Sequence, residues 1–260
     1  MDDGSVIDNE NADLLARHVS ADSRAPLRRP GRKPLDRAPP NSTRVVIVSK
    51  SFTTLETIMN AKAVVAWLKA NDCTKSQIAN SLFAVTANVP AAKEFGIEEE
   101  NIFPFWDWVG GRYSVWSAVG LPIALQYGFK TFENFLAGAH AMDLHFKNAP
   151  LEQNLPVIMA LALVHQQKTL NIKAYAAIPY ADALDWFPKW LQQLDMESNG
   201  KHVDQTGNRV NYPTSPVVWG QLGIDGQHAF YQLRHQGNVI GPADFIGSVE
   251  SSTPVRGHHE

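Results

Sequence analysis

Residues 44–54 read Arg44-Val45-Val46-Ile47-Val48-Ser49-Lys50-Ser51-Phe52-Thr53-Thr54, and this stretch decides the fold class. Four consecutive β-branched residues fit a strand buried on both faces, because alternate side chains then all point into apolar surroundings. The run stops abruptly in hydroxyls, so 49–53 reads as a polar turn. Beyond it Leu55, Ile58, Met59, Val65 and Leu68 recur at helical spacing up to Asn71. Strand, turn and helix in that order open a βα unit.

Working outward, 82–85 and 175–178 read as further buried strands and 101–105 as a short extended piece. Helical periodicity covers 113–127, 131–148, 155–168 and 182–196. Strands alternating with helices predict an α/β layered fold with a mostly parallel sheet, in which ligands sit at the carboxyl ends of strands. No internal repeat is visible. The expected organisation is a leader over 1–43, a first domain over 44–150 and a second over 151–260. The leader interleaves Arg24, Arg28, Arg29, Arg32, Lys33 and Arg37 with Pro26, Pro30, Pro34, Pro39 and Pro40. It reads as a disordered or non-native tail, with weak helical character over 11–18.

The chain has 260 residues, 44% hydrophobic and 19% charged, with 23 Lys+Arg against 26 Asp+Glu and a formal charge of −3. That is enough chain for one or two ordinary cores. The near balance of charge gives no support to nucleic-acid binding. No apolar run of spanning length occurs, and no basic-then-apolar leader marks secretion. The single cysteine, Cys73, reads as a surface or half-buried thiol and fits a reducing compartment. A cytoplasmic location is expected.

Four segments carry chemistry. In 49–54, Ser49, Ser51, Thr53 and Thr54 place hydroxyls at the start of a helix, whose unpaired N–H groups and positive end favour an anion such as a phosphate ester. Thr53 and Glu56 have capping-box spacing, so plain helix capping is the competing reading. No Gly-x-x-x-x-Gly-Lys pattern is present, which excludes a nucleotide P-loop. In 107–114, Arg112 follows Gly110-Gly111. The glycines would let the backbone turn sharply or approach a ligand closely, and the guanidinium would meet an anion or a developing oxyanion; an ion pair with Asp107 is the alternative. In 192–201, Gln193 and Glu197 are four apart and share a helix face. Asn199-Gly200 reads as the helix stop, so Glu197 lies near a negative helix end that favours a proton-accepting role; an exposed glutamate beside a frayed end is the competing reading. In 226–233, His228 sits at a loop–helix junction and could exchange protons near neutrality; a hydrogen-bonded structural histidine is the competing reading. His140 and His145 do not form a convincing metal pair.

Taken together, the segments 49–61 (SKSFTTLETIMNA), 107–120 (DWVGGRYSVWSAVG), 192–201 (QQLDMESNGK) and 226–237 (GQHAFYQLRHQG) resemble the glucose-6-phosphate isomerase family in order and separation. The resemblance covers about 44–245. It implies a pair of SIS α/β sandwiches and interconversion of glucose 6-phosphate and fructose 6-phosphate through an enediolate, as in glycolysis and gluconeogenesis. It implies that Ser49, Ser51 and Thr54, with Lys50 through its backbone, hold the sugar phosphate. Arg112 would stand beside the enediolate, Glu197 would move the proton between C2 and C1, and Gln193 would contact substrate. His228 would assist ring opening from the neighbouring subunit of a homodimer, and no metal or organic cofactor would be used. The family's upstream Gly-Gly-Ser loop and its downstream catalytic-lysine segment are not found. The resemblance therefore implies the middle of a longer enzyme, with apolar faces around 45–48 and 155–164 lacking cover. The alternative is a non-catalytic sugar-phosphate-binding SIS fragment.

Overall fold

The computed structural model describes residues 38–248, so the expectations for the leader up to residue 37, and for helix over 11–18, lie outside the described residues. The chain divides into two compact units, one ending at Asp143 and the other beginning at Leu144.

In the first unit, β1 (Val45–Val48), β2 (Leu82–Thr86) and β3 (Ile102–Pro104) form a parallel sheet in the order β1-β2-β3. Val45 pairs with Leu82 and Ala84 with Ile102. The connections carry α1 (Leu55–Ala70), α2 (Lys75–Ala79) and α3 (Val89–Phe95). Alternation along the strands splits the core. Ile47, Leu82 and Ala84 join Phe52, Leu68 and Ile78 in one cluster, while Val85, with Val46 and Val48 against it, meets Phe105, Val109 and Leu121 in the other. Leu68 is completely buried; truncating such a leucine to alanine costs about 3 kcal/mol. Every residue of β2 is buried, but in β1 only Ile47 is. The expectation of burial on both faces therefore holds for the central strand and not for β1, which has a single strand neighbour among the described residues.

Local chemistry sets the helix ends. Thr74 and Gln77 form the capping box of α2, with Gln77 N–H donating to Thr74 Oγ1 (3.3 Å) and Thr74 N–H to Gln77 Oε1 (2.7 Å). The spacing at Thr53 and Glu56 predicted another box, but Thr54 is the N-cap of α1 and makes no side-chain cap. Cys73 is buried and its thiol donates to Asn41 Oδ1 (3.5 Å), against the expected half-exposed thiol.

The single helix expected over 113–127 is broken into two 3-10 turns, Gly111–Trp116 and Ala118–Gly120, followed by α4 (Leu121–Tyr127). Ser114 and Ser117 hydroxyls donate to the carbonyls of Gly111 (2.5 Å) and Ser114 (2.6 Å), and such i−3 bonds tighten the backbone. Pro122 opens α4, where its missing N–H costs nothing. Next in the chain is α5 (Phe129–Asn148).

In the second unit, α6 (Leu155–Lys168) precedes β4 (Ala174–Pro179). The helix expected over 182–196 is a 3-10 turn, then α7 (Phe187–Gln192), which runs into one π-helical turn, Gln193–Glu197. β5 (Val217–Trp219), α8 (Gly223–Gln227), α9 (Tyr231–Gln236) and β6 (Ala243–Ile246) complete the unit. The order is β5-β4-β6, again parallel, with Ala176 opposite both Trp219 and Ala243. The α/β architecture with parallel sheets is the expected one. α6 is almost wholly apolar in its first ten residues yet contains no buried residue, and Leu155, Met159 and Leu161 are all more than half exposed. That matches the face expected to lack cover.

Candidate active site

The turn at 49–54 leaves the carboxyl end of β1 and is tied down by the loop after β2. The Lys50 carbonyl accepts from Ala87 N–H (3.1 Å) and Thr86 Oγ1 (3.1 Å), and the Ser51 carbonyl accepts from Asn88 Nδ2 (3.0 Å). Phe52 sits at φ 55, in the left-handed region, with its ring buried against Phe95 at 5.8 Å. A bulky residue at positive φ is strained, and the buried ring is what holds it there. The hydroxyls pair among themselves: Ser49 with Thr54 (3.2 Å), and Thr53 donating to Ser51 (2.7 Å). Ser49 is buried, whereas Lys50, Ser51 and Thr54 are exposed. Because Thr54 supplies no cap, the first N–H groups of the 16-residue α1 receive none from it. Exposed hydroxyls stand beside an open, positive helix end, which is the chemistry of an anion site.

Arg112 follows in the chain that leaves the same edge of this sheet. The chain leaves β3 at Pro104, and Phe105 and Val109 pack on Val85 and Val48. Arg112 lies in the 3-10 turn Gly111–Trp116 and is partly exposed. A cavity of about 450 Å³ opens here, walled by Phe105, Trp106, Trp108, Tyr113 and Trp116, with Trp106 and Trp108 stacked at 5.1 Å. Neither glycine turns through the left-handed region. Gly110 has φ −67, Gly111 is not among the positive-φ glycines, and a Cβ on Gly111 would meet nothing within 4 Å.

Gln193 and Glu197 occupy the π turn and are exposed. A π turn is rare, and is frequent at functional sites; residue spacing alone does not reveal it. The helical stretch stops at Asn199 as expected, and Gly200 donates its N–H to the Met196 carbonyl (2.9 Å), so close that a Cβ on Gly200 would lie 2.2 Å from that oxygen. The Lys201 ammonium donates to the Glu197 carbonyl, which sets a cation on the negative helix end. Asp195 accepts from Asn199 Nδ2 (2.9 Å) and from Ser215 Oγ (3.3 Å), and Val218 N–H points at Met196 Sδ (3.4 Å). Ser215 precedes β5, so the π turn lies towards the amino edge of the second sheet.

His228, exposed, caps α8 beyond the carboxyl end of β5. The approach is close: Gly220 (φ 150) would place a Cβ 1.8 Å from the Ala177 carbonyl oxygen, and Gly223 would place one 2.3 Å from the Tyr180 ring. Within the second unit, therefore, Gln193 and Glu197 lie together and His228 lies towards the other edge. Asn88, Lys201, Tyr180 and Tyr231 were not anticipated. The Gly220-x-x-Gly223-x-x-Gly226 spacing was the signal available for the last two. Among the described residues no group of three or more His, Cys, Asp or Glu could hold a metal ion, and no helix is long and apolar enough to cross a membrane.

A family model described as phosphoglucose isomerase matches residues 32–260. Glucose-6-phosphate isomerase 1 of Colwellia psychrerythraea is 52% identical over 221 residues, covering 85% of this chain and 40% of its own length. The glucose-6-phosphate isomerase of Chlorobium luteolum is 50% identical over 226 residues, covering 87% and 41%. The crystal structure of a glucose-6-phosphate isomerase from Chlamydia trachomatis superposes with a TM-score of 0.75 at 35% identity, over 83% of this chain and 41% of that one. The chain thus spans about 40% of the length of these relatives.

Proposed function

The chain belongs to the phosphoglucose isomerase family, and on that premise we propose that it supplies the phosphate grip and the proton-moving carboxylate of an aldose–ketose isomerase acting on glucose 6-phosphate and fructose 6-phosphate. The observation that carries this reading is the 49–54 turn: exposed hydroxyls, fixed carbonyls and an uncapped helix start at the carboxyl edge of a parallel sheet. Ser49, Ser51, Thr54 and the Lys50 backbone hold the phosphate, whose binding energy positions the sugar. Glu197 takes the proton from one of the two adjacent carbons and returns it to the other, and Gln193, on the same turn, orients the sugar. Charge then grows on the C1 and C2 oxygens, and Arg112 stabilises it more in the transition state than in the ground state. No metal or organic cofactor enters the scheme.

His228 opens the sugar ring from a neighbouring subunit of a homodimer. Its place off the carboxyl edge of the second sheet, with Glu197 towards the amino edge, supports a role in a site other than that of its own Glu197. The parts belong to the SIS architecture of two α/β domains in a cytoplasmic enzyme of glycolysis and gluconeogenesis.

A second reading is a sugar-phosphate-binding module without turnover. The exposure of Glu197 and Gln193 and the uncovered α6 favour it. The two separate on titration of the 260-residue chain with a phosphorylated sugar acid, followed by an isomerisation assay. Binding with conversion of fructose 6-phosphate is the isomerase result. Binding without conversion leaves the second reading, and no binding of the sugar acid removes both.

A further inference from the structure

The segment carrying His228 is clamped to the end of β4 by contacts that nothing in the proposed reaction requires of it. Three glycines at three-residue spacing let it approach. Gly220 rests on the Ala177 backbone, Gly223 lies under the Tyr180 ring, and Gly226 lies under Phe230 and Tyr231, where a Cβ would come within 2.7 Å of Phe230. Above the glycines, the hydroxyls of Tyr180 and Tyr231 share a hydrogen bond of 2.9 Å. The Tyr231 ring stacks on Phe230 (5.3 Å, 17°), and Phe230 meets Trp219 edge-on at 4.7 Å. His228 lies in the short span between α8 and these rings, with Ala229 and Phe230 N–H groups both donating to the Gly226 carbonyl. The span is anchored at one end by Gly223 on Tyr180 and at the other by Tyr231 on Tyr180.

We propose that Tyr180 is a positioning residue for His228: its ring seats Gly223 and its hydroxyl holds Tyr231, fixing the histidine from both sides. The proposal rests on the reading of His228 as the ring-opening group, and asks what sets that group in place. Burial, and then the bond to Tyr180, pushes the Tyr231 phenol up to about 12, so that hydroxyl keeps its proton throughout the neutral range and the tie persists there.

The test uses the 260-residue chain with isotope-labelled histidine rings, in Tyr180→Phe, Tyr231→Phe and the double variant, with His228→Asn assigning the signal. Both replacements keep the ring and its stack. The expected result is that each single variant moves the His228 ring resonance, that the double variant moves it no further, and that the other histidines stay in place. Losing one ordinary hydrogen bond lowers the held population about five-fold, so kcat on ring-closed glucose 6-phosphate should drop about that much with KM unchanged. Turnover of an open-chain aldose phosphate should be unaffected. A His228 resonance unmoved by either variant, or moved by one alone, overturns the proposal. The resonance arm needs no turnover. If His228→Asn leaves kcat unchanged, the ring-opening reading fails while the resonances still decide the positioning.

Discussion

Replacing Asn88 separates what shapes the 49–54 turn from what merely stabilises the unit. Its Oδ1 accepts from Ala91 N–H (3.2 Å) and caps α3, while its Nδ2 donates to the Ser51 carbonyl (3.0 Å). Asn88→Ala removes both, at about 1 kcal/mol for the cap and about 1 kcal/mol for the bond. Asn88→Ser keeps a capping oxygen but is too short to reach Ser51, so it loses only the second contribution. For a chain of this size, Asn88→Ala should lower Tm by about 4–8 °C and Asn88→Ser by about 2–4 °C. Both variants release the Ser51 carbonyl, so both should bind a phosphorylated sugar acid about five-fold more weakly. Thermal unfolding and calorimetric titration read the two effects separately. Undiminished binding by Asn88→Ser would refute the claim that this tie sets the grip, and equal loss of stability in the two variants would refute the assignment of the cap.

Gly220→Ala forces a Cβ to within 1.8 Å of the Ala177 carbonyl oxygen at φ 150 and should cost about 3 kcal/mol in urea unfolding; a variant as stable as the parent would contradict that close approach. Thr74→Ala dismantles the capping box of α2 and should cost about 1 kcal/mol, measured the same way. Because burial and the Tyr180 bond raise the Tyr231 phenol to about 12, the unfolded chain loses that proton first, from about pH 10 upwards. The folded state then binds more protons, so stability falls as pH rises from about 10 to 12. Tyr231→Phe should flatten that decline in an unfolding series, and an unchanged slope would exclude the residue. Glu197→Gln should retain sugar-phosphate binding and lose turnover by several orders of magnitude, whereas full turnover in that variant would take Glu197 out of the mechanism.

The parts legible in the sequence were those whose local pattern and tertiary role agree. Val45–Val48, the hydroxyl turn and α1 are continuous in sequence and in space, so periodicity found them. β5 and β6 escaped because three or four residues, Val217–Trp219 and Ala243–Ile246, owe their extended form to pairing with β4 rather than to a run of their own. The 113–127 stretch has helical spacing, but the serine hydroxyls at 114 and 117 compete for the backbone. For the candidate site, residue types alone left structural readings of Glu197, Arg112 and His228 open, and their roles rest on the family resemblance. The π turn under Glu197, the left-handed Phe52 and the Tyr180–Tyr231 bond arise from packing across the chain, which spacing does not encode.

The central proposal is that the 49–54 turn holds the phosphate of a hexose phosphate. Backbone hydrogen exchange across a titration with fructose 6-phosphate tests it without any need for turnover. Slowed exchange at the start of α1 along one saturating curve, absent with unphosphorylated fructose, is the predicted result. Unchanged exchange there, or equal slowing with fructose, would contradict it.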